Sequence, residues 1–160
     1  MKIIFLDIDG VLNSQEFLKK RTKKGSILDM IDLEACKILQ HIIDKTEAKI
    51  VLSSTWRFNY YDKLKLFFKD HGFNIDIIDK TDRGCSNCVR GNEIRKWLKD
   101  NVKQGGLIVE GAAYCIIDDD SDMLLWQEDY FVHTENKHGL TDDDASYAIS
   151  ILNDKPATYF

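Results

Sequence analysis

The chain predicts an α/β fold, a three-layer Rossmann-like arrangement with a central, mostly parallel sheet of about five strands and helices on both faces. Three observations carry this. Short apolar runs alternate with segments of helical period along the whole sequence, which implies right-handed β-α-β units. The 160 residues, 44% apolar and 31% charged, suit one soluble core rather than several. Polar residues also crowd the ends of three of the apolar runs, where open parallel sheets place their ligands.

The elements follow in order. "KIIFL" (2–6) reads as a strand and "DLEACKILQHII" (32–43) as an amphipathic helix. "KIVL" (49–52) is a strand, and the helix through "YDKLKLFFKDHG" stops at Gly72. "IDII" (75–78) is a third strand, "GNEIRKWLKDNV" (91–102) a helix, "YCII" (114–117) a strand and "YFVHT" (130–134) another. A last helix spans 141–152, where Thr141 and Asp144 resemble a capping box with Asp in place of Glu. The single domain expected over 1–160 leaves room only for a short flap or cap-like insert around 13–31.

No apolar run approaches the roughly 20 residues that span a bilayer. Asp7 and Asp9 interrupt the apolar N-terminus, so a signal peptide is not expected and the sequence is assigned to the cytoplasm. Cys36 and Cys115 sit among apolar residues and read as buried free thiols. "GCSNC" gives Cys85 and Cys88 metal-ligand spacing but has no second ligand pair, so a zinc site is disfavoured. The net charge of −5 conceals a local +4 over residues 13–28, where Lys19, Lys20, Arg21, Lys23 and Lys24 face Glu16 alone. Such asymmetry can focus an anionic partner, although a solvated helix face has the same composition.

The first run ends in Asp7 and Asp9, whose alternation puts both carboxylates on one side of the strand. Paired carboxylates repel and resist burial unless a cation or proton intervenes. Ser53, Ser54 and Thr55 follow the second run, and Asp118, Asp119, Asp120 and Asp122 follow the strand at 114–117. An all-oxygen ligand set of this kind suits a hard divalent ion, Mg²⁺ above all. Taken alone, 118–122 would also read as a solvated acidic turn.

"FLDIDGVLN", "IVLSSTWR" and "YCIIDDDSDM" resemble, in order and spacing, the first, second and fourth motifs of the haloacid dehalogenase (HAD) superfamily. More narrowly, "LSSTWR", "RGNEIRKWL", "IIDDDSDM" and "HGLTDDDASYAISIL" resemble the small HAD domains of Swiss-Army-knife RNA repair proteins. The resemblance implies a Mg²⁺-dependent phosphatase in which Asp7 is the nucleophile and Asp9 the general acid and base. Asp7, the Asp9 carbonyl, and Asp118 or Asp119 would hold the metal. Gly10 would permit a tight path beside the site, and Ser53, or alternatively Ser54, would donate to the phosphoryl group. Where the superfamily usually carries a lysine this chain has Arg90, with Lys80 and Arg83 as alternatives, and Asp122 would orient Arg90 or a metal-bound water.

Arg57 reads either as a grip on a second phosphate or as a surface ion pair, and Trp56 as a stacking platform or a packed indole. A site with minimal cap suits a bulky phosphorylated substrate, and Lys19, Lys20 and Arg21 could follow a phosphate backbone. An RNA or DNA end, or a nucleotide, is the leading substrate. A small metabolite, a phosphoprotein, or a non-catalytic module that binds phosphate or a partner are the alternatives.

Overall fold

The computed structural model describes residues 1–84, 88–102 and 113–154. Five strands form one sheet in the order β3-β2-β1-β4-β5, with every pairing parallel. They are β1 (Lys2–Leu6), β2 (Lys49–Leu52), β3 (Ile77–Lys80), β4 (Ala113–Asp118) and β5 (Phe131–His133). The helices are α1 (Gln15–Lys20), α2 (Leu33–Thr46), α3 (Tyr61–Asp70), α4 (Arg90–Val102) and α5 (Asp142–Asp154).

β1, β2 and β4 are nearly unbroken in apolarity because helices cover both faces of the sheet. α2 packs on α5, and Trp97 of α4 meets Phe5 of β1 edge-on at 5.3 Å. Thr141 and Asp144 exchange hydrogen bonds at the start of α5, as the sequence predicts. α3 ends just before Gly72, whose φ of 77° turns the chain away. Among the described residues, no helix is long and apolar enough to cross a membrane.

The third strand lies two residues later than the sequence suggests. β3 is an edge strand, buried mainly at Ile77, so Asp79 and Lys80 are tolerated in it where a central strand would exclude them. Its register to β2 also shifts between Ile50 and Val51. Residues 13–31 contain α1 followed by a 3₁₀ turn at Ile27–Met30. The start of α1 is tied to a distant loop, where Gln15 and Glu16 donate backbone N–H groups to the carbonyls of Asn136 and Lys137.

The register determines what the rim presents. Leu6 is level with Leu52 on one side and Ile117 on the other. Asp7, Ser53 and Asp118 are therefore the next residues of three neighbouring strands. The Asp7 N–H donates to the Ile117 carbonyl and the Ser53 N–H to the Leu6 carbonyl, both at 3.0 Å.

Candidate active site

Asp7, just past β1, is 5% exposed, and Asp118, the last residue of β4, is 1% exposed. One carboxylate oxygen from each of Asp7, Asp118 and Asp119 lies within 4.8 Å of the other two. Burial, the Asp9 charge working in the same direction, raises the Asp7 carboxyl to about 6 despite opposition from Arg90 and a hydrogen bond from Ser54. Burial, then repulsion from Asp7, raises Asp118 to about 7, against the pull of Arg90 and the Asp120 N–H. Asp118 Oδ2 is buried and accepts no hydrogen bond among the described residues. An all-carboxylate group with a bare buried oxygen fits a hard divalent cation.

Arg90, the first residue of α4, supplies the positive charge. Its Nη1 donates to Asp7 Oδ1 at 3.2 Å and to the Ser53 carbonyl, and lies 3.7 Å from Asp118 Oδ2. Burial pulls its pKa down, but Asp118 and Asp7 outweigh that and the net direction is up. Asp122 positions the start of α4 by accepting the Arg90 backbone N–H at 2.8 Å. The alternatives are engaged elsewhere. Lys80 donates to the Arg57 carbonyl and lies over Tyr61, while Arg83 lies over Phe58.

The two serines divide their tasks. Ser54 caps the 3₁₀ turn at Thr55–Phe58, accepting from Trp56 N, and its hydroxyl bonds Asp7. Ser53 Oγ is fully buried and has no hydrogen-bond partner among the described residues, so it is free to donate to an incoming oxygen.

Gly10 has a φ of 71°, and a Cβ there would stand 2.2 Å from Asp119 Oδ2. Only glycine lets the backbone pass so close to that carboxylate. Asp119 is held by Asn136, whose Nδ2 donates to Oδ2 at 2.6 Å. Thr134 Oγ1 donates to the Gly10 carbonyl at 3.0 Å.

Residues 3–145 match the family model described as the HAD domain in Swiss Army Knife RNA repair proteins. The chain belongs to this HAD family. No curated protein and no solved structure matches it. The HAD family implies phosphatase-type, hydrolytic chemistry, and the Asp7–Asp118–Asp119 group gives this member a place for a divalent metal.

Within this HAD domain some expectations need correction. Arg57 turns into the interior rather than out at the rim. It is 2% exposed, and its guanidinium donates to the carbonyls of Thr81, Ser53 and Ser54 and to Glu93 Oε2. A side chain whose donors are spent on protein acceptors cannot grip a second phosphate. The surface ion-pair alternative also fails, because the Arg57–Glu93 pair is buried. Trp56 is a packed indole at 6% exposure rather than a stacking platform. Its Nε1 nevertheless donates to Asp9 Oδ2 at 3.0 Å.

Asp9 is exposed, and its carboxylate lies outside the metal-compatible group, leaving only its carbonyl as a ligand in the expected set. Lys19 and Lys20 are exposed and Arg21 is half-buried at the end of α1. Lys20 and Arg21 line a groove of about 400 Å³ with Phe17, Leu28 and Phe67, and no carboxylate of the cluster is in its lining. Cys36 and Cys115 are buried free thiols. Cys88 is disulfide-bonded, which removes a thiolate from any zinc reading, and Cys85 lies outside the described residues.

Sequence reasoning missed Asn13, Thr134, Asn136 and Glu93. Thr134 and Asn136 were findable, because they follow β5 at the same rim as the aspartates. Glu93 on α4 carried no such signal.

Proposed function

We propose that the protein is a Mg²⁺-dependent phosphomonoesterase that works through a phosphorylated Asp7 and acts on a nucleic-acid end or a nucleotide. The observation that carries this reading is the Asp7 carboxylate flanked by Arg90, the bare Asp118 oxygen and the unpartnered Ser53 hydroxyl.

Asp7, Asp118, Asp119 and the Asp9 carbonyl would hold the metal. When bound it offsets the repulsion between the Asp7 carboxylate and a phosphate dianion. Asp7 attacks the phosphorus, the bond to the leaving oxygen breaks, and the Asp9 proton passes to that oxygen. Asp9 then takes a proton from water, whose oxygen attacks the phosphorus. The bond to Asp7 breaks, and inorganic phosphate and free Asp7 are restored. Ser53 Oγ and the Arg90 guanidinium stabilise the phosphoryl oxygens, with arginine offering two donors where a lysine offers a point charge.

The substrate class rests on the family's connection with RNA repair and on the +4 segment at 13–28. Lys19, Lys20 and Arg21 would follow the phosphates leading to the scissile one.

The test is hydrolysis of an aryl phosphate with Mg²⁺, with EDTA, and by Asp7→Asn. Activity surviving Asp7→Asn would remove the nucleophile. A panel of 3′- and 5′-phosphorylated oligonucleotides and mononucleotides at rising salt then separates the substrates. Oligonucleotide turnover should fall with salt and with neutralisation of Lys19–Lys24, and turnover indifferent to both would refute the backbone contact.

A further inference from the structure

Asp9 must rotate little if it is to deliver a proton at one step and accept one at the next. It is exposed, yet both of its carboxylate oxygens are taken. Oδ1 accepts from Asn13 Nδ2 at 2.8 Å and Oδ2 from Trp56 Nε1 at 3.0 Å. Each carboxylate oxygen can accept a second hydrogen bond, so the clamp fixes the plane of the group without closing it to a ligand. Both donors are neutral, so the carboxyl is oriented by directed hydrogen bonds rather than by an ion pair.

The clamp itself is rigid. Asn13 is buried, and its Oδ1 accepts the Gly10 N–H at 2.9 Å, which ties the side chain to the turn that carries Asp9. Trp56 is wedged beside Tyr60, with ring centroids 5.5 Å apart, in the turn capped by Ser54. Ser54 also bonds Asp7. One short turn after β2 thus touches both Asp7 and Asp9.

We propose that Trp56 is a positioning residue for proton transfer, its indole N–H fixing the Asp9 carboxyl beside the leaving oxygen while Asn13 holds the other side. This rests on the phosphatase reading above. The indole is buried and its N–H is spent on Asp9 Oδ2, so its effect would pass through that carboxyl.

The experiment measures kcat/KM for Trp56→Phe on phenyl phosphate and on 2,4-dinitrophenyl phosphate with Mg²⁺. Phenolate is a poor leaving group that needs the proton, whereas dinitrophenolate departs without one. kcat/KM reports formation of the aspartyl-phosphate, the step in which Asp9 acts as acid. The expected result is a loss of at least about tenfold on phenyl phosphate and less than about threefold on the dinitrophenyl ester, the same pattern as Asp9→Asn in milder form. Trp56→Phe introduced into Asp9→Asn should cause no further loss on either ester. Equal losses on both esters, or additive losses in the double variant, would make Trp56 a packing residue and overturn the proposal.

If Trp56→Phe fails to fold, benzothienylalanine at position 56 keeps the shape and lacks the N–H, and is read in the same way. Asp7→Asn separates the two failures. Turnover that persists in Asp7→Asn, or a wild-type protein inactive on both esters, sinks the phosphatase reading and the inference with it. An Asp7-dependent enzyme with no leaving-group discrimination in the Trp56 variants sinks the inference alone.

Discussion

Arg90 and Asp7 lie 83 positions apart in sequence, and the guanidinium of one donates to the carboxylate of the other at 3.2 Å. The same guanidinium approaches Asp118 and bonds the Ser53 carbonyl. One cation therefore offsets two buried acids at the rim of the sheet. The arrangement exists because α4 begins at the sheet rim, its first N–H groups held by Asp122.

Removing that cation should harm both chemistry and folding. Arg90→Ala is expected to lower kcat/KM for an aryl phosphate by about a thousandfold, and Arg90→Lys by about tenfold, since lysine keeps the charge but not the fork. Steady-state kinetics on the two variants checks the order. Equal losses would mean that the forked geometry, rather than the charge, is what the site needs.

The raised acids predict how stability depends on pH. Burial pushes the Asp7 carboxyl up to about 6, and burial with repulsion from Asp7 pushes Asp118 up to about 7, both above the usual carboxylate range. The folded state therefore favours their protonated forms. Their contribution to stability is complete at low pH and is lost as pH rises from about 4 through about 7. Without metal, the part of the thermal midpoint that depends on these two acids should decline by about 5 °C between pH 5 and pH 8. Mg²⁺ should restore it at pH 8 by replacing the missing protons, and Asp118→Asn should flatten the slope. Differential scanning calorimetry with and without EDTA decides. Wild type and Asp118→Asn with identical slopes would show that the acids are not in conflict.

The fold was legible in the sequence because parallel strands buried on both faces must be almost wholly apolar, as β1, β2 and β4 are. Asp7, Ser53, Asp118 and Arg90 were legible because each sits at a strand or helix end, where chain direction alone sends it to the rim. Arg57 misled for the same reason. It is near the rim in sequence, but whether a side chain turns inward depends on what waits there. Four acceptors contributed by the two residues after β2, the residue after β3, and α4 cannot be read from one segment. The indole of Trp56 is similar, since packing was readable and the direction of one N–H was not.

Gly10→Ala should disable the site while leaving the core intact. Its Cβ would collide with the Asp119 carboxylate, and a φ of 71° is strained for alanine. Asp119 would be pushed from the group it forms with Asp7 and Asp118. The expected outcome is a loss of Mg²⁺ affinity of at least about tenfold by isothermal titration. Far-ultraviolet circular dichroism should stay unchanged. Wild-type affinity in the variant would place Asp119 outside the ligand set.

Arg57 and Glu93 supply the last expectation, which is about charge left behind. Their ion pair at 2.7 Å is buried on both sides and joins the 3₁₀ turn after β2 to α4. Arg57→Met strands the Glu93 carboxylate in the interior, a change that typically costs about 3 to 5 kcal/mol. Replacing both residues, Arg57→Met with Glu93→Leu, leaves no unpaired charge. The double variant should therefore recover stability relative to Arg57→Met alone, although the carbonyls of Ser53, Ser54 and Thr81 still lose a donor. Urea denaturation of the three proteins measures this. In every variant that folds, KM for a simple aryl phosphate should stay within about twofold of wild type while kcat falls, because Arg57 would act only through the placement of Ser53 and Ser54, whose carbonyls it holds. A large rise in KM with kcat intact would instead restore Arg57 to the role of a phosphate grip.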